Sequence, residues 1–263
     1  MNDRVVASMR AVPIGTSRLH EPMSLLPSED VGFLGCGYVH TSGQVLNLLQ
    51  VLAGERQLTP SEARWFFRRD QTPPNPFSMD LWQAQPHLDA AIERMRDTWA
   101  SSNACFIEIC SPRSYRMGDL HVQGNPNIDR NVGYAEIWKQ GYYLTYEPDL
   151  DVKMFDESVD EIASNLSVIF DLLARQERSA VLMGHLVDPN DPHPGRARNN
   201  ANLEEAFTAT SHGAVAFVDC SPFVAEHGFR VLEDGKVDIH HLPWTALDAF
   251  AQHLGEALSS VSK

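Results

Sequence analysis

Apolar residues along this chain occur in two alternating patterns, which predict strands and helices in turn. Continuous apolar runs of strand length lie at residues 31–35, 104–110, 179–184 and 214–219. Segments whose apolar residues recur every three or four positions lie at residues 42–53, 59–69, 81–100, 158–176, 199–211 and 244–258. Short continuous runs favour strands buried on both faces, and the longer spacing favours helices with one buried face. Strands that alternate with helices predict an α/β fold, a three-layer sandwich with a flavodoxin-like parallel sheet.

Two segments fall outside this alternation. Residues 1–28 contain prolines and polar residues without sustained periodicity, so we expect an irregular N-terminal arm before a single α/β domain at residues 29–263. Residues 112–150 are rich in glycine, asparagine, aspartate and tyrosine and predict a loop-rich excursion over the edge of the sheet. Long loops in compact domains are often lids or binding loops.

Composition and charge exclude several classes of partner. The chain has 263 residues, of which 43% are hydrophobic, and this content suffices for a sizeable core. Its net charge of -14, without a basic stripe, argues against a nucleic-acid or anionic-membrane partner. No apolar run approaches the roughly 18 residues that a membrane span requires, and residues 1–10 lack the basic start and apolar core of a signal peptide.

Cysteine usage favours a reducing compartment. The 4 cysteines show neither zinc-like pairing nor a disulfide-dense pattern. We therefore expect a cytoplasmic protein that acts on a small molecule, without a cofactor or bound metal. A homo-oligomer is compatible with these properties.

The turn between the first predicted strand and the first predicted helix contains several reactive side chains. Gly35, Cys36 and Gly37 are followed there by His40 and Ser42. Reactive groups collect at such junctions in parallel sheets, because the carboxyl end of a strand meets the free N–H groups of a helix. A thiol near a helix N-terminus and a histidine would have a lowered pKa and serve as a nucleophile. The structural alternative is a small buried Cys36 and a helix-capping Ser42.

A second polar group precedes the last predicted helix. Asp238 stands three residues before His241, and His240 lies between them. An aspartate at this spacing can orient an imidazole and stabilise its charge while the imidazole acts as a general base. In the alternative interpretation, the histidines of a polar loop bond only to backbone groups or water.

The order strand, polar turn, helix, and finally Asp-x-x-His before the closing helix resembles the SGNH/GDSL hydrolase-like superfamily. The resemblance extends over residues 31–258 and is closest in style to SGNH-like proteins of bacterial polysaccharide biosynthesis. It implies that His241 is the general base and that Asp238 orients it. It also implies an asparagine donor after a later strand, but no asparagine stands at that place beside Gly184.

The nucleophile is where this chain departs from that family's pattern. The family carries Gly-Asp-Ser after its first strand, whereas Gly35-Cys36-Gly37 has no serine. We therefore expect Cys36 or Ser42 to be the nucleophile, and His40 to face the same cleft as His241, where it could serve as a base or a ligand. The backbone N–H groups around Gly37 and His40 would stabilise the oxyanion.

Polar residues after the third apolar run predict substrate contacts. Gly184 and His185 end that run, and Arg196, Arg198 and Asn199 lie near the start of the next predicted helix. A guanidinium group at such a position can hold a phosphate or a carboxylate of the substrate. The alternative is loop charge that is simply solvated.

A metal site is a further alternative for the same region. His185, Asp188, Asp191 and His193 lie within nine residues, and His240 and His241 could approach them. Imidazole and carboxylate ligands suit zinc, iron or manganese. However, prolines stiffen this segment and no HExxH signature is present.

The sequence favours an SGNH-like esterase or acyltransferase acting on a small metabolite or a saccharide ester. One alternative is a non-hydrolytic relative that binds an anionic or nucleotide-linked metabolite, and another is a His/Asp metalloenzyme. The first interpretation requires the turn at Cys36 to His40 and the pair His240–His241 to open into a common pocket.

Overall fold

The computed structural model describes residues 9–36, 38–67, 85–122, 152–210 and 213–262. The strands of this part are β1 Ala11–Ile14, β2 Ala104–Glu108, β3 Arg113–Met117, β4 Leu120–Val122, β5 Val152–Asp156, β6 Ser179–Met183, β7 Val215–Val218, β8 Arg230–Val231 and β9 Val237–Asp238. The helices are α1 Ser17–Met23, α2 Ser42–Leu52, α3 Pro60–Phe66, α4 Gln85–Ala100, α5 Val159–Arg175, α6 Pro194–Thr208, α7 Ser221–His227 and α8 Leu247–Val261, with a 3-10 turn at Trp244–Ala246 before α8.

A parallel sheet in the order β1-β2-β6-β7 forms the centre of the molecule. On the outer edge of β1, Ala11 forms a parallel bridge with Val31. The bridge is made by hydrogen bonds from Ala11 N to Asp30 O (2.8 Å) and from Gly32 N to Ala11 O (2.9 Å). After β1 the chain therefore passes to Val31 on the outer side of β1, and later returns to form β2 on the inner side of β1. Flavodoxin-like sheets bind ligands at such a switch point, outside the carboxyl ends of the strands.

Helices cover both faces of the sheet, so the predicted three-layer α/β arrangement is confirmed. Along β2, Ala104 and Phe106 pack into one core with residues of α1, α7 and α8. The alternate residues Cys105 and Ile107 pack into a second core with residues of α2 to α6. This alternation follows from the two-residue repeat of a strand that is buried on both faces.

The first strand of the sheet is not where the sequence predicted it. Residues 31–35 contribute only the bridge at Val31, whereas β1 lies within residues 1–28, the predicted irregular arm. The run Ala11–Ile14 is short and contains Pro13, which cannot donate to a strand ladder. Pro13 lies two residues after Ala11, so its nitrogen points to the same side of the strand as that of Ala11, towards the outer edge. Proline is tolerated there because its nitrogen is not needed as a donor to β2. Among the described residues only Ala11 is bridged on that edge.

The predicted helices agree more closely with the structure. Capping boxes formed by Thr59 with Glu62 and by Ser158 with Glu161 fix the starts of α3 and α5. Helix α6 begins at Pro194, five residues earlier than predicted, and the short α7 was not predicted. The excursion at residues 112–150 contains β3 and β4, and β3 pairs with both β4 and β5 in an antiparallel sheet; residues 123–150 lie outside the described part. None of the helices in the described ranges has both the length and the apolar character needed to cross a bilayer.

Candidate active site

A serine, a histidine and an aspartate form a hydrogen-bonded chain at the carboxyl end of β1. Ser17 Oγ lies 2.8 Å from His241 Nε2, and His241 Nδ1 lies 2.7 Å from Asp238 Oδ2. An ionised carboxylate can only accept, so Nδ1 carries a proton, and in the neutral imidazole Nε2 then accepts from the serine hydroxyl. This is the arrangement of a nucleophile, a general base and an orienting acid.

The loop after β9 holds the base and its acid in a fixed relation. Asp238 Oδ1 accepts from the backbone N–H of His240 (3.0 Å), and the N–H of His241 donates to the carbonyl of Asp238 (3.2 Å). Burial alone would raise the pKa of Asp238, but the hydrogen bonds from His241 and His240 outweigh it and lower that pKa. Asp238 therefore stays ionised at neutral pH and is suited to stabilise a positively charged His241.

A further carboxylate ties this loop to the helix of the serine. Glu21 lies one turn after Ser17 on α1, and its Oε1 is 3.8 Å from His241 Nε2. Its Oε2 accepts from Arg230 Nη2 at 2.5 Å. The Arg230 guanidinium stacks 3.7 Å over the ring of Trp244 and donates through Nε to the carbonyl of Leu242 (3.1 Å). These contacts fasten the β8–β9 hairpin to α1.

A buried ion pair between Glu108, at the end of β2, and Arg18 fixes the residues next to Ser17. Glu108 Oε2 accepts from both the N–H and the hydroxyl of Thr16, each at 2.7 Å, and Oε1 pairs with the guanidinium of Arg18. Burial alone would raise the pKa of Glu108, but the charge of Arg18 and the hydrogen bonds of Thr16 and Arg18 outweigh it and lower that pKa. Glu108 thus holds the residues on both sides of Ser17.

Gly15 leaves the room that Glu108 needs. A Cβ on Gly15 would lie 2.6 Å from Glu108 Cβ and 2.9 Å from Glu108 Oε2. We expect Gly15→Ala to lower the free energy of unfolding by about 1–3 kcal/mol, because the added methyl group overpacks this site. Urea unfolding would measure the change. The matched control is Gly255→Ala in α8, where a Cβ meets nothing within 4 Å; equal stability losses in the two variants would contradict the close-contact argument.

The predicted turn before α2 also reaches this edge of the sheet. Val39 N donates to the carbonyl of Gly15 (3.1 Å), and the carbonyl of His40 accepts from the N–H groups of Cys110 and Ser111. The ring of His40 lies near the end of β2, with Nδ1 3.6 Å from Cys110 Sγ. The N–H of His40, which we expected to stabilise an oxyanion, instead donates to Gln44 Oε1 at 2.8 Å. Gly37 lies outside the described residues.

The two predicted nucleophiles lie in the interior. Burial raises the pKa of Cys36 to about 12, the opposite of the lowering that the sequence suggested. The hydroxyl of Ser42 is fully buried; it donates to Glu157 Oε2 (2.6 Å) and accepts from Asn165 Nδ2 (2.8 Å). Glu157 also accepts from the N–H groups of Ser42 and Gly43 at the start of α2. This network secures a helix end, and Ser17 is the serine that contacts His241.

Arginine and histidine side chains surround His185 at the exit of β6. The N–H of His185 donates to Asn200 Oδ1 (2.7 Å) and its carbonyl accepts from Asn200 Nδ2 (2.9 Å). Its buried Nδ1 has no hydrogen-bond partner among the described residues. Burial, together with the charges of Arg18 and Arg196, lowers the pKa of His185 to about 2, so this ring is neutral at physiological pH.

Arg196 and His240 lie in the same neighbourhood. Arg196 donates through Nη1 to the carbonyl of Ile239, and its Nη2 is 3.1 Å from His240 Nδ1. Arg18 Nη1 lies 3.5 Å from the same atom. The charges of His240 and His40 add smaller contributions to the lowered pKa of His185.

The other residues predicted to contact the substrate do not take part in the hydrogen bonds of Ser17, His241 and Asp238. The side chain of Arg198 is exposed on α6, and Asn200 rather than Asn199 makes the hydrogen bonds to the strand exit. Gly184 faces Asn200 so closely that a Cβ would lie 2.4 Å from its Oδ1. Gly35 adopts φ +69, a left-handed conformation that favours glycine.

The region suggested for a metal is not assembled as a ligand set. Within the described ranges, no group of three or more histidine, cysteine, aspartate or glutamate side chains is placed to hold a metal ion. Asp188 instead accepts from the N–H of Asn190 (2.8 Å), and His193 stands in an exposed position before α6.

The sequence pattern singled out Asp238 and His241 of this hydrogen-bonded group, but it did not single out Ser17, Arg18 or Glu108 as members of it. The available signal was the short apolar run Ala11–Ile14 followed directly by Gly15 and two hydroxyl residues. That is a strand followed by a polar turn and a helix, the same pattern that drew attention to residues 31–43.

Comparison with known proteins gives a family-model match over part of the chain. Residues 9–132 match the model of the TviD N-terminal domain, a domain of a polysaccharide (Vi antigen) biosynthesis protein family. The matched range is a little under half of the chain; it includes Ser17 and Glu108 and ends before Asp238 and His241. No curated protein and no solved structure gives a significant match. The chain is thus similar over its first half to a domain of polysaccharide biosynthesis proteins, and this similarity does not extend to SGNH hydrolases specifically.

Proposed function

We propose that this protein is an SGNH-like esterase or acyltransferase that acts on an ester of a small metabolite or a saccharide. The observation that carries the proposal is the chain of hydrogen bonds from Ser17 through His241 to Asp238. Its geometry suits transfer of the serine proton to the imidazole during attack on an acyl carbon.

The reaction would follow two steps. In the first, Ser17 Oγ attacks the ester carbonyl, His241 takes the hydroxyl proton, and the leaving alcohol receives that proton as the C–O bond breaks. In the second, water or another alcohol attacks the acyl-serine and gives its proton to His241. His241 then returns that proton to Ser17 Oγ as the bond between the acyl carbon and Oγ breaks. The N–H of Ser17 lies in the first turn of α1 without an intrahelical acceptor, and we assign it to the oxyanion.

The SGNH resemblance supports this proposal more strongly when Ser17 is taken as the nucleophile. Gly15-Thr16-Ser17 follows the first strand, where that family carries Gly-Asp-Ser, and threonine replaces its aspartate. Asp238 and His241 then complete the order Ser, Asp, His along the chain. The similarity to a polysaccharide biosynthesis domain favours a saccharide ester among the substrate classes.

Covalent labelling tests this proposal directly. A fluorophosphonate probe reacts with a serine that a neighbouring base activates, so we expect it to modify Ser17, as identified by mass spectrometry of the labelled peptide. His241→Ala should greatly reduce the labelling while the protein keeps its unfolding temperature. Modification of Ser42 or Cys36, or an unmodified Ser17 in folded protein, would refute the assignment.

A further inference from the structure

A second carboxylate lies beside the proposed base His241. Asp238 Oδ2 contacts Nδ1 at 2.7 Å, whereas Glu21 Oε1 lies 3.8 Å from Nε2, the nitrogen that accepts from Ser17. Glu21 stands four positions after Ser17 in α1, and side chains at that spacing share one face of a helix. The same helix therefore brings a hydroxyl and a carboxylate to one ring nitrogen.

In the resting protein the contact between Glu21 and His241 is not attractive. Nε2 of the neutral ring is an acceptor and a carboxylate oxygen is an acceptor too, so no proton lies between them. Once Nε2 has taken the proton of Ser17, the ring is a cation and the same carboxylate attracts it. An interaction that becomes favourable only as charge develops lowers the barrier without tightening the binding of the substrate.

Partial burial makes this attraction effective. The side chains of His241 and Glu21 are 20% and 28% exposed, and partly buried charges are screened less than charges on the open surface. Asp238 acts at Nδ1 and Glu21 at Nε2, so a carboxylate stands at each nitrogen of the ring.

Arg230 holds the carboxylate of Glu21 at its distance from the imidazole. Its Nη2 donates to Glu21 Oε2 at 2.5 Å, while Oε1 faces His241. Arg230 is itself fixed by the ring of Trp244 and the carbonyl of Leu242. The 3.8 Å between Oε1 and Nε2 exceeds the length of a hydrogen bond, roughly 3.2 Å at most. The carboxylate can thus stabilise the imidazolium without diverting its Nε2 proton from the leaving alcohol.

We propose that Glu21 is a positioning residue of the acyl transfer, held by Arg230 so that its carboxylate stabilises the positive charge that His241 acquires. This inference rests on the proposed function and gives the base a second acid besides Asp238. The charge of Arg230 offsets part of the effect, so the expected contribution is about tenfold in rate.

Exchanging Glu21 for glutamine removes the charge but keeps an oxygen that can accept from Arg230. For Glu21→Gln we expect kcat for 4-nitrophenyl acetate to fall about tenfold with an unchanged KM, because His241 becomes a cation in both steps of the reaction. The unfolding temperature should remain that of the parent protein. Glu21→Asp keeps the charge on a shorter side chain and should retain more activity than Glu21→Gln.

A purely structural role of Glu21 predicts the opposite order, since the shorter aspartate would lose the contact with Arg230 that glutamine keeps. The matched control is Glu226→Gln in α7, because Glu226 lies 3.9 Å from His227 Nε2 but is 75% exposed; it should leave kcat unchanged. Full activity of Glu21→Gln, a change in KM alone, an equal loss in Glu226→Gln, or lower activity of Glu21→Asp than of Glu21→Gln would overturn the inference. The proposed function would still stand if fluorophosphonate modified Ser17 in the parent protein.

Discussion

Replacing Ser17 by alanine is expected to lower kcat/KM for an acetyl ester by about a thousandfold or more. The hydroxyl that His241 activates is lost, and the buried Ser42 and Cys36 cannot replace it, because one is engaged by Glu157 and the other has a raised pKa. Hydrolysis of 4-nitrophenyl acetate would measure the loss. The variant should unfold at the same temperature as the parent protein, since the half-buried hydroxyl makes one hydrogen bond to a solvent-accessible ring.

The variants Ser42→Ala and Cys36→Ala test whether either of these side chains, rather than Ser17, is the nucleophile. Both side chains lie in the interior, so activity must be normalised to the folded fraction, which circular dichroism would report. We expect folded protein of either variant to retain its esterase activity. A folded Cys36→Ala protein without activity, or an active Ser17→Ala protein, would exclude Ser17 as the nucleophile.

Replacing Glu108 by alanine is expected to lower the free energy of unfolding by about 3–5 kcal/mol. The change leaves the Arg18 side chain, 7% exposed, without its counter-charge, and it removes the acceptor for both Thr16 donors. Urea unfolding at neutral pH would measure it. Asp119→Ala provides the control, because Asp119 pairs with Arg56 but is 87% exposed. That variant should lose no more than about 1 kcal/mol, and similar losses in both variants would contradict the argument.

The same ion pair predicts how stability depends on pH. The pKa of Glu108 is lower in the folded protein than in the unfolded chain, so its stabilisation is complete above the unfolded value, roughly pH 4. This stabilisation is lost as the pH falls through the pKa that Glu108 has in the folded protein. Unfolding curves should therefore show that the parent protein loses its advantage over Glu108→Gln as the solution is acidified. A stability difference that did not change with acidification would be inconsistent with a lowered pKa.

The parts of the fold that local chemistry specifies were predictable from the sequence. Capping boxes at Thr59 and Ser158 set helix starts, and the apolar run of β2 is long enough to be recognised alone. Asp238 and His241 could be paired from the sequence because they lie three positions apart in one loop. For each of these, the interacting residues are neighbours along the chain.

The contact of Ser17 with His241 could not be predicted in this way, because it depends on which apolar run is the first strand. Residues 31–35 contain buried Val31 and Leu34 and therefore look like a strand, yet they cross the edge of the sheet as a loop. β1 is four residues long and contains Pro13, so its pattern is weak. Only tertiary pairing with β2 makes it a strand. The ion pair at Glu108 likewise joins residues 90 positions apart.

Ser17 and His241, which are hydrogen-bonded in the folded protein, lie 224 positions apart along the chain. During synthesis at about 5–20 residues per second, His241 is translated roughly 11 to 45 seconds after Ser17. The closing helix α8 packs against α1 through the core that contains Leu19, Met23 and Phe250. A nascent chain therefore carries Ser17 without its histidine partner until the β8–β9 hairpin and α8 have been synthesised and have docked.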